Sequence, residues 1–136
     1  MPSLVADTHA AVWYLLQSPR LSRVARERMA ATIAGGDPIF VPSICLVEII
    51  YLVEKNRIPQ ADWTQLQAAL DSADAAYRVV PLDDAVARAV SSVPRDTVPD
   101  MPNRIIAATV VHLDLPLVSR DGRIRMSGIE VMRSPL

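Results

Sequence analysis

The chain has 136 residues, 51% of them hydrophobic, with a formal net charge of −1. That length suits one ordinary domain with a substantial core, and the near-neutral charge excludes a global basic field as the means of drawing in nucleic acid. The single cysteine, Cys45, excludes an intrachain disulfide and a cysteine-based zinc site and reads as a small core hydrophobe.

The first strand is expected over SLVAD, Ser3–Asp7. No basic region precedes a long apolar stretch there, and the apolar runs fall short of the roughly 18 residues of a membrane span, so the expectation is a cytoplasmic protein with no membrane partner. Val12, Trp13, Leu15 and Leu16 give Thr8–Leu16 helical spacing. Ser22 fits the cap of a second helix through Val24–Ile33, ended by Gly35 and Gly36. PIFVP, Pro38–Pro42, reads as the second strand, and Ser43 opens a helix to about Asn56. A further helix is expected over Gln60–Ser72, with Trp63, Leu66 and Leu70 on one face. YRVVPL, Tyr77–Leu82, is the third strand, and Asp83 caps a helix through Val90. After the Pro-rich SVPRDTVPDMPN come an apolar helix, Arg104–Leu113, and a fourth strand, LPLVS, Leu115–Ser119. RDGR is then a turn, and GIEVM, Gly128–Met132, a short fifth strand. Strands alternating with helices imply one α/β domain over residues 1–136, with a parallel sheet covered on both faces.

Within SICLVEIIYLVEK, Glu48 interrupts an apolar run from Ile44 to Val53. A buried ionised carboxylate costs several kcal/mol unless partnered. Glu48 therefore either shares a polar stripe with Tyr51 and Lys55 or faces something that favours negative charge. Asp7 lies at the carboxyl end of the first strand and Asp121 just past the fourth, where open parallel sheets bind ligands. Asp100 opens the helix before that strand and reaches the same edge. Each acid also has an ordinary reading. Asp7 and Asp100 suit helix caps, and Asp121 suits a turn. Taken together, carboxylates crowded at one edge repel by roughly 4 kcal/mol per pair at 4 Å and an effective dielectric of 20. A hard divalent cation such as Mg²⁺ or Mn²⁺ removes that conflict, polarises phosphoryl oxygens and acidifies bound water. This is the chemistry of phosphodiester hydrolysis. His9 and His112, without a cysteine or a second nearby histidine, do not make a zinc site and read as structural. Ser119, close to Asp121, is a candidate hydrogen-bonding group or a plain strand-end serine.

The blocks LVADTHAAVWYLL, VPSICLVEIIYLVEKNRI and DMPNRIIAATVVHLDLPLVSRDGRI resemble the successive signature blocks of PIN-domain ribonucleases, above all the VapC toxins of toxin–antitoxin pairs. The likeness runs through nearly the whole chain and is weakest over Ile58–Ser92. It implies a three-layer α/β/α sandwich around a parallel sheet, a homodimer, Mg²⁺- or Mn²⁺-dependent RNA cleavage, and a cognate antitoxin that covers the site. By position, Asp7, Glu48 and Asp121 match the acidic ligands and Thr8 and Ser119 the accessory polar positions, with Asp100 keeping the first place of the third block. Where that block commonly reads D-x-x-D-R, this chain has Asp100-Met-Pro-Asn103-Arg104, so an amide oxygen replaces one carboxylate among the metal ligands. Arg20, Arg23, Arg120, Arg123 and Arg125 flank the acidic edge and are the candidate RNA contacts. All but one of the chain's basic residues are arginine, Lys55 being the exception, which suits bidentate phosphate binding although coding bias produces the same count. The competing readings are a PIN fold that binds RNA or antitoxin without cutting, favoured by Asn103, and a small-molecule phosphohydrolase, for which no specificity residues are evident.

Overall fold

The computed structural model describes residues 3–120, 123–126 and 130. Five strands form one sheet in the order β3-β2-β1-β4-β5, where β1 is Leu4–Ala6, β2 Ile39–Pro42, β3 Tyr77–Val80, β4 Leu117–Val118 and β5 Ile124–Arg125. The first four are parallel, with Val5 opposite Phe40 on one side and Leu117 on the other. The fifth corrects the all-parallel expectation: β5 turns back antiparallel on β4, pairing Val118 with Ile124. A short connection permits only that, since a parallel return needs a crossover of a dozen or more residues. The strand expected over Gly128–Met132 lies outside the described residues, apart from Glu130.

The helices are α1 Thr8–Leu15, α2 Arg23–Ala34, α3 Ser43–Glu54, α4 Gln60–Asp71, α5 Asp84–Ala89 and α6 Met101–Leu113. Ser22 caps α2 by accepting the Ala25 amide, and Asp83 caps α5 by accepting that of Val86. Helix α6 begins three residues before the expected Arg104. Asp100 takes the Asn103 amide at 3.0 Å and Pro102 sits in the first turn, where a missing N–H costs nothing. A single 3₁₀ turn, Val90–Ser92, extends α5. Helix α2 ends beyond Gly35 with Gly36 at φ 84°, a conformation that favours glycine.

From β1 the chain steps outward to β2 and β3, then returns across the sheet to β4. Because parallel crossovers are right-handed, this reversal places α5 and α6 on the face opposite α1 to α4. The layers are therefore α/β/α. Strands buried on both faces read as unbroken apolar runs: Leu4, Val5, Ala6, Leu117 and Val118 are fully buried, joined by Met29, Cys45, Ile49, Leu66, Ile106 and Val110 from the helices. The reversal also opens a crevice between the carboxyl ends of β1 and β4.

One buried polar link ties the outer strand to the first helix. The Tyr77 hydroxyl donates to the Ala11 carbonyl at 2.6 Å. Burial, reinforced by Tyr14, pushes the Tyr77 phenol well above its ordinary value. The neutral phenol is the native form, so its contribution is complete below the unfolded value of about 10 and is lost as pH rises above it. Tyr77→Phe should lower stability near neutrality by about 1 kcal/mol and flatten the alkaline loss. Urea denaturation at neutral and strongly alkaline pH measures both.

Candidate active site

The crevice holds a small pocket of about 90 Å³ lined by Asp7, Thr8, His9, Glu48, Asn103, Ile106 and Arg120. Asp7 leaves the end of β1 and is only 6% exposed. Its Oδ1 accepts the Ala10 amide at 2.9 Å, capping α1, and its Oδ2 accepts the Arg120 amide just beyond β4. The cap and the site residue are thus one group. Each carboxylate oxygen has a second lone pair, so the pocket still meets an acceptor.

Glu48 enters from α3 and is half-buried, and Thr8 Oγ1 donates to its Oε1 at 2.7 Å. That bond answers the question posed by the apolar run: the carboxylate turns toward β1. Burial raises the Glu48 pKa, Thr8 opposes by bonding the charged form, and the Asp100 charge raises it further. Asp100 itself is exposed at the start of α6, outside the residues lining the pocket, while Asn103, one turn on, lines it. Beneath lies Cys45, buried, its thiol pushed far up chiefly by burial and held neutral. Asp121 lies outside the described residues.

The other sequence candidates scatter. Ser119 is buried, and both its amide and hydroxyl donate to the Arg123 carbonyl, at 3.1 and 3.3 Å, closing the β4–β5 turn. It is not among the pocket-lining residues. Arg120 lines the pocket and Arg20 a groove adjoining it. Arg123 is exposed beside the turn. Arg23 pairs with Glu27 one turn along α2, at 2.8 Å, and lines neither cavity. Arg125 is buried in β5, which removes it from any RNA-facing surface. Proximity in sequence misled here, because alternate residues of a strand point to opposite faces. Arg104, from the same block as Asn103, donates to the Val93 carbonyl at 3.0 Å and holds the preceding loop.

His9, expected to be a structural residue, is instead at the site. It lines the pocket, its ring tilted on Trp13 at 5.3 Å between centroids, and its pKa is lowered by burial and then by Arg120 and Arg20. Its place directly after Asp7-Thr8 was the available signal, since the first turn of a helix that begins at a strand's carboxyl end faces the crevice. His112, at the far end of α6, is exposed.

Among the described residues no three His, Cys, Asp or Glu side chains gather into a metal-binding group. What the pocket offers is a hard-oxygen set, two carboxylates, an amide and a hydroxyl, which fits Mg²⁺ or Mn²⁺ better than a thiophilic ion.

The PIN domain family model matches residues 4–127: the chain belongs to that family. Over 129 residues it is 29% identical to Ribonuclease VapC22 of Mycobacterium tuberculosis (strain ATCC 25618 / H37Rv), covering 92% of each chain. The fold is similar to that in the crystal structure of VapBC2 from Rickettsia felis bound to a DNA fragment from their promoter, with a TM-score of 0.63, 15% identity and 86% of each chain covered.

Because the Glu48 pKa is raised, this group's contribution to metal-free stability is complete below the ordinary glutamate value of about 4.3 and is lost as pH rises through the folded value. Glu48→Gln should flatten this fall in denaturation curves taken without metal. Thr8→Val should push the Glu48 value higher still, read by carbon NMR titration of the carboxyl.

Proposed function

We propose that the chain is a metal-dependent endoribonuclease, the toxin of a toxin–antitoxin pair, hydrolysing RNA phosphodiester bonds at the pocket between β1 and α3. The observation that carries this reading is the meeting of Asp7 and Glu48 in one small polar pocket with Asn103 and Arg120. The whole-chain likeness to a protein named Ribonuclease VapC22 supports it.

Asp7, Glu48 and Asn103 would hold Mg²⁺ or Mn²⁺, with Asp100 on the rim and Asp121 as further candidates. Bound there, such an ion polarises a phosphoryl oxygen and acidifies water. The protein's own groups do the rest. The Ala10 and Arg120 amides hold the Asp7 carboxylate in one orientation. Thr8 fixes Glu48 Oε1 and leaves Oε2 to the pocket. The Arg120 guanidinium, at the pocket mouth, suits a bidentate grip on the phosphate. His9, kept neutral near pH 7 by burial and by two arginines, is a hydrogen-bonding group for water or substrate rather than a fixed charge.

The partners follow the same reading. Val47, Ile50 and Tyr51 stand exposed on α3 and Met101 on α6, apolar surface of the kind that a second chain covers. A homodimer and a cognate antitoxin are the proposed occupants, and the likeness of the fold to that in the VapBC2 structure from Rickettsia felis supports the antitoxin. Among the described residues no helix is long and apolar enough to cross a membrane.

Alanine at position 7 would remove the α1 cap as well as the charge. The cleaner tests are Asp7→Asn and Glu48→Gln. Glu48→Gln should fold as the parent does, while Asp7→Asn sets an NH2 against one of the two backbone amides and should lower stability by about 1–3 kcal/mol. Both should lose Mn²⁺-dependent RNA cleavage by more than the roughly 10–100-fold expected for an outer-shell partner. Retained cleavage in both removes the nuclease assignment from this pocket. Asn103→Asp supplies a charged oxygen, so Mn²⁺ affinity by calorimetry should rise about ten-fold, the scale of one charge-assisted contact. The metal-free melting temperature should fall through repulsion with Glu48.

A further inference from the structure

Beside the acidic pocket, and sharing His9 and Arg120 with it, runs a groove of about 490 Å³ between α1 and the α3–α4 connection. Its volume lies within the roughly 300–1,000 Å³ of small-molecule sites. Trp13 and His9 supply tilted aromatic faces on its α1 side. Arg20, Arg57 and Arg120 bring three cations to it, and Arg20 and Arg120 lie close enough to His9 to depress its pKa. Asp62, half-buried in the first turn of α4, lines it too. None of these three arginines is tied up in an ion pair among the described residues; the side-chain pairs there are Arg23–Glu27 and Arg88–Asp84. A chain with a net charge of −1 therefore gathers three arginines and an aromatic pair beside the acidic pocket.

Resting on the nuclease reading above, we propose that this groove is a nucleobase subsite that takes an unpaired base of single-stranded RNA next to the scissile phosphate, guanine above all. Stacking on an aromatic face is the ordinary way proteins hold a splayed-out base. The arginines suit the phosphates on either side. The Asp62 carboxylate has two acceptor oxygens, matching the adjacent N1–H and N2–H donors on the Watson–Crick edge of guanine, which no other base presents together. The groove thus supplies the base preference that the acidic pocket, built only for a phosphate, lacks.

The test titrates a hexauridylate carrying one central guanine, and the same strand abasic at that position, into the full chain in EDTA, following tryptophan fluorescence. The guanine strand should quench the emission and bind roughly ten- to a hundred-fold tighter than the abasic one, the range of one stacked base. Trp13→Leu, which keeps an apolar filler but no ring, should abolish both the quench and the difference, whereas Trp63→Phe should not. Asp62→Asn should bring guanine down to the level of adenine or cytosine in the same position. Arg57→Gln, at an exposed position, should weaken every strand alike. Equal affinity for the guanine and abasic strands overturns the proposal, and that comparison uses the unaltered protein, so it stands even if Trp13→Leu fails to fold. Loss of antitoxin binding in Trp13→Leu with RNA affinity unchanged also overturns it and assigns the groove to a protein helix. Since these titrations exclude metal, a failed Mn²⁺ cleavage assay of the parent chain counts against the nuclease reading and is seen separately.

Discussion

The structure depends on where one carboxylate finds its hydrogen bonds. Asp7 is almost wholly buried, and an ionised carboxylate there is tolerable only because backbone amides meet it on both sides, Ala10 from α1 and Arg120 from the end of β4. These two amides belong to elements more than a hundred residues apart in the chain. The same side chain that starts the first helix therefore also stitches the last parallel strand to the first, across the point where the strand order reverses. The crevice and the acid within it have a common origin.

Around that anchor the charges are arranged in a graded way. Asp7 is held by backbone. Glu48 is held by a single hydroxyl, Thr8, and its pKa stays raised by burial and by Asp100. Asn103 brings a neutral oxygen to the pocket where a third carboxylate would add repulsion. Arg120 lines the pocket, and Arg20 and Arg57 line the groove beside it. An acidic floor beneath a basic rim suits a polyanion whose phosphate must approach carboxylates, because the rim attracts what the floor alone would repel. With PIN-domain membership established by the match over residues 4–127, this layout gives the proposed nuclease chemistry a physical setting.

Much of the architecture was legible as pattern. Strand–helix alternation, the caps Ser22 and Asp83, and the apolar strands marked a layered α/β fold, because these signals are local and repeat with fixed periods. Glu48 stood out because a charge inside an apolar helix conflicts with its surroundings, and such conflicts mark sites. The boundaries were less legible. Helix α6 was expected to open at Arg104, yet Asp100 and Pro102 start it earlier, and β4 shrinks to Leu117–Val118. The antiparallel β5 was missed because a strand of two residues has no period to read.

What the sequence by itself determined is the helices and the four parallel strands, their layered class, the family, and the acids that stand at strand ends, for each follows from near neighbours along the chain. What only the tertiary structure decided is which side chains share a space. Arg57, at the end of the second signature block, and Asp62, from the first turn of α4, join Trp13 and Arg20 in one groove, and His9 becomes a site residue. Arg125 withdraws into the sheet, Arg23 pairs along its own helix, and Ser119 closes a turn. The reason is physical. Periodicity tells which way a side chain faces on its own element, but the partner it meets is set by strand order and crossover direction, which depend on packing among all the elements at once.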